Sequence, residues 1–188
     1  MVRALLAGRK TQTRRLTTSP LAKALPGDRL WVREAWACHW ATDDQAPRDI
    51  DPDLWSVRYL ADDHISPAAR DGSLALLDQC RKGRPSIFMP RWASRLTLTI
   101  TDVRRTEPVD QISREDAIAE GIYQPNGPGW THDVDAPDWW NDPVFAFRKL
   151  WDGLHDRPGE RFTDAPTIVA LTFRVALANI DASDQPHG

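Results

Sequence analysis

SRLTLTITDVRRTEPV, Ser94 to Val109, carries the clearest strand signal in the chain. Leu96, Leu98 and Ile100 alternate with Thr97, Thr99 and Thr101, the period of two at which successive side chains point to opposite faces of a sheet. One face is expected against a core and the other is polar. RLWVREAW has the same composition on a smaller scale and predicts a first long strand at Leu30 to Trp36, with WSVRYLA and TIVALTFRVAL as further strands. Three helix signals accompany them. MVRALLAG reads as a short helix with Leu5 and Leu6 on its buried side, stopped by Gly8. ISREDAIAEGI opens on Ser113 with Asp116 three residues on and stops at Gly121. DPVFAFRKLWDGLHD has Asp142 as cap, Pro143 at the first helical position, and Phe147, Leu150, Trp151 and Leu154 at helical spacing.

Strands separated by long irregular links, with helices at intervals and no regular βαβ alternation, point to an α+β domain: a small mixed or antiparallel β-barrel with flanking short helices. The reading is one domain over 1–178, with a turn-rich, insertion-like region at about 37–83 that holds one short helix within 66–83, and a disordered tail at 179–188. Ser19 and Pro20 open a helical turn, and PGD at 26–28 is a tight turn.

With 188 residues and a net charge of -3, the molecule has no overall basic field, so an anionic partner has to be met by a local patch. Cys38 and Cys80 lack zinc-ligand spacing, the five histidines form no HxxxH or HExxH pair, and neither GxGxxG nor GxxxxGK[ST] occurs. No metal and no cofactor is expected. No apolar run approaches the roughly 20 residues of a membrane span, and the first residues lack a signal-peptide core. A cytoplasmic protein without a membrane partner is the expectation.

Three groups of residues carry chemistry. LLAGRKTQTRRL, Leu5 to Leu16, contains Gly8, Lys10, Thr13 and Arg15 in the spacing GxKxxTxR. A lysine just past a helix end is a base or nucleophile when burial lowers its pKa, but spacing alone does not separate that from a solvated basic loop. Glu115 and Asp116 are first-turn acids favoured by the helix dipole, whereas Glu120 in the last turn opposes it and calls for a cationic partner such as Lys10. A solvent-facing glutamate is the alternative. Tryptophans 31, 36, 40, 55, 92, 139 and 140 stand near arginines 29, 33, 91 and 95, a composition suited to stacking a base, although most tryptophans belong to cores.

The blocks LLAGRKTQTRR, GDRLWVREAW, PSIFMPRWASRLTLTITDVR, ISREDAIAEGI, FRKLWDGL and TIVALTFRV, in that order from Leu5 to Val175, resemble the ASCH domain family of the PUA-like superfamily, in its phage-associated branch. The resemblance implies a PUA-like barrel whose cleft accepts RNA or a nucleoside. It is similar to the bacterial N4-acetylcytidine amidohydrolases, whose Lys, Thr and Glu constellation falls here on Lys10, Thr13 and Glu120 as catalytic residues. Arg15 matches the family arginine, and Gly27 with Asp28 match its GD turn. Arg15, Trp31, Glu34, Trp36 and Trp92 are the expected substrate-binding residues, and Arg9 and Arg14 are expected to be solvated. One departure is that members of the branch carry a short apolar strand before the first helix, while this sequence opens at Met1 on the helix itself.

The implied activity is removal of an acyl group from N4 of a modified cytidine, with Thr13 as nucleophile or water-orienting group, Lys10 activating it, and Glu120 holding Lys10 and passing a proton to N4. The alternatives are a single-stranded RNA ribonuclease using Lys10, Arg14 and Arg15, and a non-catalytic RNA-binding module. The expected partner is thus a modified cytidine nucleoside or single-stranded RNA. The oligomeric state is left open.

Overall fold

The computed structural model describes residues 1–65, 79–133 and 139–182. Its helices are α1 (Val2–Leu6), α2 (Arg114–Ala119) and α3 (Pro143–Asp152). Its strands are β1 (Gln12–Leu16), β2 (Arg29–Trp31), β3 (Trp36–Cys38), β4 (Val57–Tyr59), β5 (His64–Ile65), β6 (Thr97–Pro108) and β7 (Thr167–Ala176). The protein is a small α+β protein with a curled antiparallel sheet, half of a barrel, in the order β1-β7-β6-β2, and a second sheet in the order β3-β4-β5. Two compact units are distinguished. The first is built from Met1 and the described residues of 3–28 and 99–175, the second from Val2 and the described residues of 29–98 and 176–188.

In the first unit β1 pairs antiparallel with β7, from Gln12 opposite Thr172 to Leu16 opposite Ile168. The register matters because it fixes which side chains of GRKTQTRRL share a face. Behind the sheet, Ile112, Ala117, Ile122, Phe147, Trp151, Phe162, Ile168 and Ala170 are buried together. Each large apolar side chain so buried contributes about 1.5–3 kcal/mol. Helix α3 begins as its sequence predicts, with the Asp142 carboxylate accepting from the backbone N–H of Val144 at 2.8 Å and Phe145 at 3.3 Å. Phe147 and Trp151 face the core, but Leu154 is exposed, because the helix ends at Asp152 and Leu154 falls past its last turn.

The second unit has its own core of Trp36, Cys38, Ile50, Val57, Tyr59, Met89 and Ala93. The single strand expected at Leu30 to Trp36 is instead β2 and β3, in different sheets. The break falls around Glu34, which is buried and takes Arg95 through two bonds of 2.9 Å. Alternation of apolar and polar residues does not reveal a carboxylate that turns inward to an arginine. Arg95 also bonds Asp62 at 2.8 and 3.0 Å and lies over the Tyr59 ring.

Strand β6 runs to Pro108. Leu98 and Ile100 are buried, as the alternation predicts, and Thr101 is exposed. Thr97 departs from the pattern: it is buried, and its hydroxyl donates to the Ala178 carbonyl at 2.9 Å. The tail expected to be disordered is ordered over 179–182. Asn179 donates to the carbonyls of Arg91, Trp92 and Ser94, Ile180 is buried, and Asp181 pairs with Arg91. Residues 183–188 of that expectation, and the helix expected within 66–83 over residues 66–78, lie outside the described residues.

Candidate functional site

The site is built where the chain leaves α1. Gly8, at φ +67, turns it, and Arg9 and Lys10 both donate their backbone N–H to the Ala4 carbonyl. Thr11 then donates to the Ala119 carbonyl at 2.9 Å, and Lys10 and Glu120 form an isolated antiparallel bridge. This backbone contact sets the end of α2 beside the start of β1. At the other end of α2 the Ser113 hydroxyl caps the helix by accepting from the Asp116 N–H at 3.1 Å. Gly121, at φ +99, follows Glu120, and a side chain there would lie 3.1 Å from the Ala4 Cβ and 3.3 Å from the Lys10 Cβ.

Lys10 is buried, and its Nζ donates to Glu120 Oε2 at 2.6 Å and to the Glu120 carbonyl at 2.8 Å. An ammonium has three donors, so one N–H remains beyond these two bonds. Burial pulls the Lys10 pKa below that of an ordinary lysine, against the opposing pull of Glu120. Glu120 is also buried, and among the described residues its Oε1 has no hydrogen-bond partner. A buried carboxylate oxygen without a partner, beside a lysine whose charge is opposed by burial, is a place where a proton can be taken up or delivered.

Arg14 overturns the expectation of a solvated side chain. It is 2 % exposed, donating through Nη1 to Gln12 Oε1 and through Nη2 to Asp116 Oδ2 at 2.6 Å. Its Nη1 also lies 3.5 Å from Glu120 Oε1. Asp116 accepts in addition from Arg104 at 2.6 Å and from Gln12 Nε2 at 3.2 Å. Lys10, Gln12 and Arg14 thus all reach α2, the result expected of alternate residues sharing one side of an extended segment. Asp116 and Glu120, four apart, share a side of their helix. Arg9 is exposed, with its guanidinium 3.9 Å from the centre of the Tyr123 ring.

Thr13 and Arg15 have the opposite parity. The Thr13 hydroxyl accepts from Arg15 Nη1 at 2.7 Å, and the same nitrogen donates to the Arg14 carbonyl at 2.7 Å. Among the described residues no carboxylate pairs with Arg15, and burial works against its charge, with Glu120 opposing that effect from a distance. Thr13 is buried and no hydrogen bond joins it to Lys10. The expected triad is therefore a bonded pair, Lys10 and Glu120, with Thr13 held separately by Arg15.

Trp31, Glu34, Trp36 and Trp92 belong to the second unit. Trp36 is 0 % exposed, its ring packed edge-on to Trp92 at 6.4 Å, so it is a core side chain and has no open face for a base. Glu34 is committed to Arg95. Trp31 is partly buried with the Arg33 guanidinium 4.7 Å from its ring centre. Among the described residues the exposed tryptophans are Trp40 and Trp139, and no cluster of three His, Cys, Asp or Glu is placed to hold a metal ion. No helix among them is long and apolar enough to cross a membrane.

The Asp116 carboxyl titrates below its ordinary 3.8 because hydrogen bonds and charge from Arg104 and Arg14 outweigh burial. Between its folded value and 3.8 the unfolded chain binds more protons, so stability falls as the pH drops through that window. The contribution is complete above 3.8. Urea denaturation is expected to show Asp116→Asn less stable than wild type at pH 7, with the gap narrowing as the pH falls below 3.8.

The chain matches no protein-family model, no curated protein and no solved structure.

Proposed function

We propose that the protein is a PUA-like, ASCH-type amidohydrolase that removes an acyl group from N4 of a modified cytidine. The observation that supports it is the buried Lys10–Glu120 pair, 2.6 Å apart, with Glu120 Oε1 left open. Amide hydrolysis needs a stabilised oxyanion and a proton for the departing amine. In this reading the third N–H of Lys10 and the Arg15 guanidinium meet the developing oxyanion. Water, rather than the Thr13 oxygen, adds to the carbonyl carbon, because among the described residues no base hydrogen-bonds to Thr13 and Arg15 occupies one of its lone pairs. Glu120 takes a proton from the water and returns it to N4 as the C–N bond breaks, giving cytidine and a carboxylic acid. A net charge of -3 with no overall basic field suits a small neutral substrate better than a run of phosphates.

The test is incubation with N4-acetylcytidine and, separately, with single-stranded RNA, at 50 and 500 mM salt, with and without chelator. Cytidine release that is insensitive to both salt and chelator is expected. Cleavage of RNA that falls steeply with salt would support a ribonuclease instead, and retention of RNA without cleavage would support a binding module. Absence of cytidine release overturns the amidohydrolase reading.

A further inference from the structure

Arg14 presents a puzzle of geometry. Its Nη1 stands 3.5 Å from Glu120 Oε1, close enough for charge attraction, yet that oxygen accepts no hydrogen bond. The reason is competition. Gln12 Oε1 and Asp116 Oδ2 take the guanidinium's donors at closer range and hold it back from Glu120. Asp116 is itself fixed by Arg104 and Gln12, and Arg104 also approaches Glu107 at 3.5 Å. Lys10, Arg14, Asp116 and Glu120 carry two charges of each sign, and Arg104 adds a further cation at Asp116.

We propose that Arg14, anchored by Asp116, is a positioning residue for Glu120: it supplies a positive charge that holds the carboxylate in place while leaving Oε1 free to exchange a proton. This rests on the reading of Lys10 and Glu120 as the reacting pair. Neither arginine nor aspartate touches the reacting atoms. Remove the Asp116 charge and Arg14 is released toward Glu120 Oε1, where it fills the open lone pair and competes with Lys10 for the carboxylate. Remove the Arg14 charge and a like charge beside Lys10 disappears. The charged groups that act on Lys10 are Glu120 at the end of α2, Arg14 and Arg15 on β1, and the α-amino group of Met1 ahead of α1.

The two substitutions therefore move Lys10 in opposite directions, which a merely structural role would not do. The experiment follows the Lys10 Cε–Hε signal by NMR across pH, assigned by its loss in Lys10→Met, in wild type, Asp116→Asn, Arg14→Gln and Arg14→Lys. Asp116→Asn is expected to lower the Lys10 midpoint, and Arg14→Gln to raise it, each by about one pH unit. Arg14→Lys, which keeps the charge, stays near wild type. On N4-acetylcytidine, Asp116→Asn lowers kcat about a hundredfold with KM little changed. Shifts in the same direction, or none, overturn the proposal. If Arg14→Gln fails to fold, Asp116→Asn alone decides, an unmoved midpoint overturning it. Opposite shifts in a protein that releases no cytidine would uphold the positioning and reject the amidohydrolase reading.

Discussion

Glu120→Ala is expected to lose about 3–5 kcal/mol of stability, measured by urea denaturation at pH 7, because it strands an ammonium in the interior. Among the described residues Lys10 Nζ has only Glu120 atoms as acceptors, and one of them is the carboxylate oxygen at 2.6 Å. Taking that oxygen away removes the opposing charge and leaves the buried ammonium with the neutral Glu120 backbone carbonyl at 2.8 Å. The lysine pKa then falls further, and the loss shrinks as the pH rises and Lys10 becomes neutral. Replacing both partners by methionine, Lys10→Met with Glu120→Met, removes both charges at roughly constant volume. The double variant is expected to recover most of the stability lost by Glu120→Ala. A Glu120→Ala deficit no larger than about 0.5 kcal/mol would mean that the pair is solvated in solution.

Gly121→Ala is expected to cost about 2–4 kcal/mol, from strain at a left-handed backbone and from crowding in a packed corner. A methyl group there meets the Ala4 Cβ at 3.1 Å and the Lys10 Cβ at 3.3 Å. Neither neighbour is a flexible chain end, since one is a short side chain of α1 and the other is the root of the lysine stem. Gly8 and Gly27 also have positive φ but have nothing within 4 Å, so alanine at either should cost about 1 kcal/mol. The difference between Gly121→Ala and Gly8→Ala isolates the space that α1 and Lys10 need at the end of α2. Equal losses at the two positions would show that no such crowding exists.

The elements that read correctly from sequence are those whose signals are local. Asp142 with Pro143, Ser113 with Asp116, and Gly8 are caps and stops that act within one helical turn, and each stands where its residue type predicts. Leu98 and Ile100 face a core because alternation is a property of the strand itself. What went unread depends on partners distant in the chain. Arg14 looks like one more cation in RRL until Asp116, 102 residues on, is placed beside it. Its one legible clue is parity, since Lys10, Gln12 and Arg14 share a side while Thr13 and Arg15 do not. Glu34 inside RLWVREAW looked like a polar residue of one strand, and its pairing with Arg95 instead separates two. For Glu120 the sequence offered a reason to look, an acid at the wrong end of a helix dipole, and the lysine expected to meet it does so.

The most direct test of the central claim is a single-turnover assay of cytidine release from N4-acetylcytidine by wild type and by the Lys10→Met, Glu120→Met double variant, each shown to be folded by its urea transition. Wild type is expected to release cytidine, and the folded double variant to lose about 10²–10⁴-fold of that rate. Release by the double variant at the wild-type rate would contradict it.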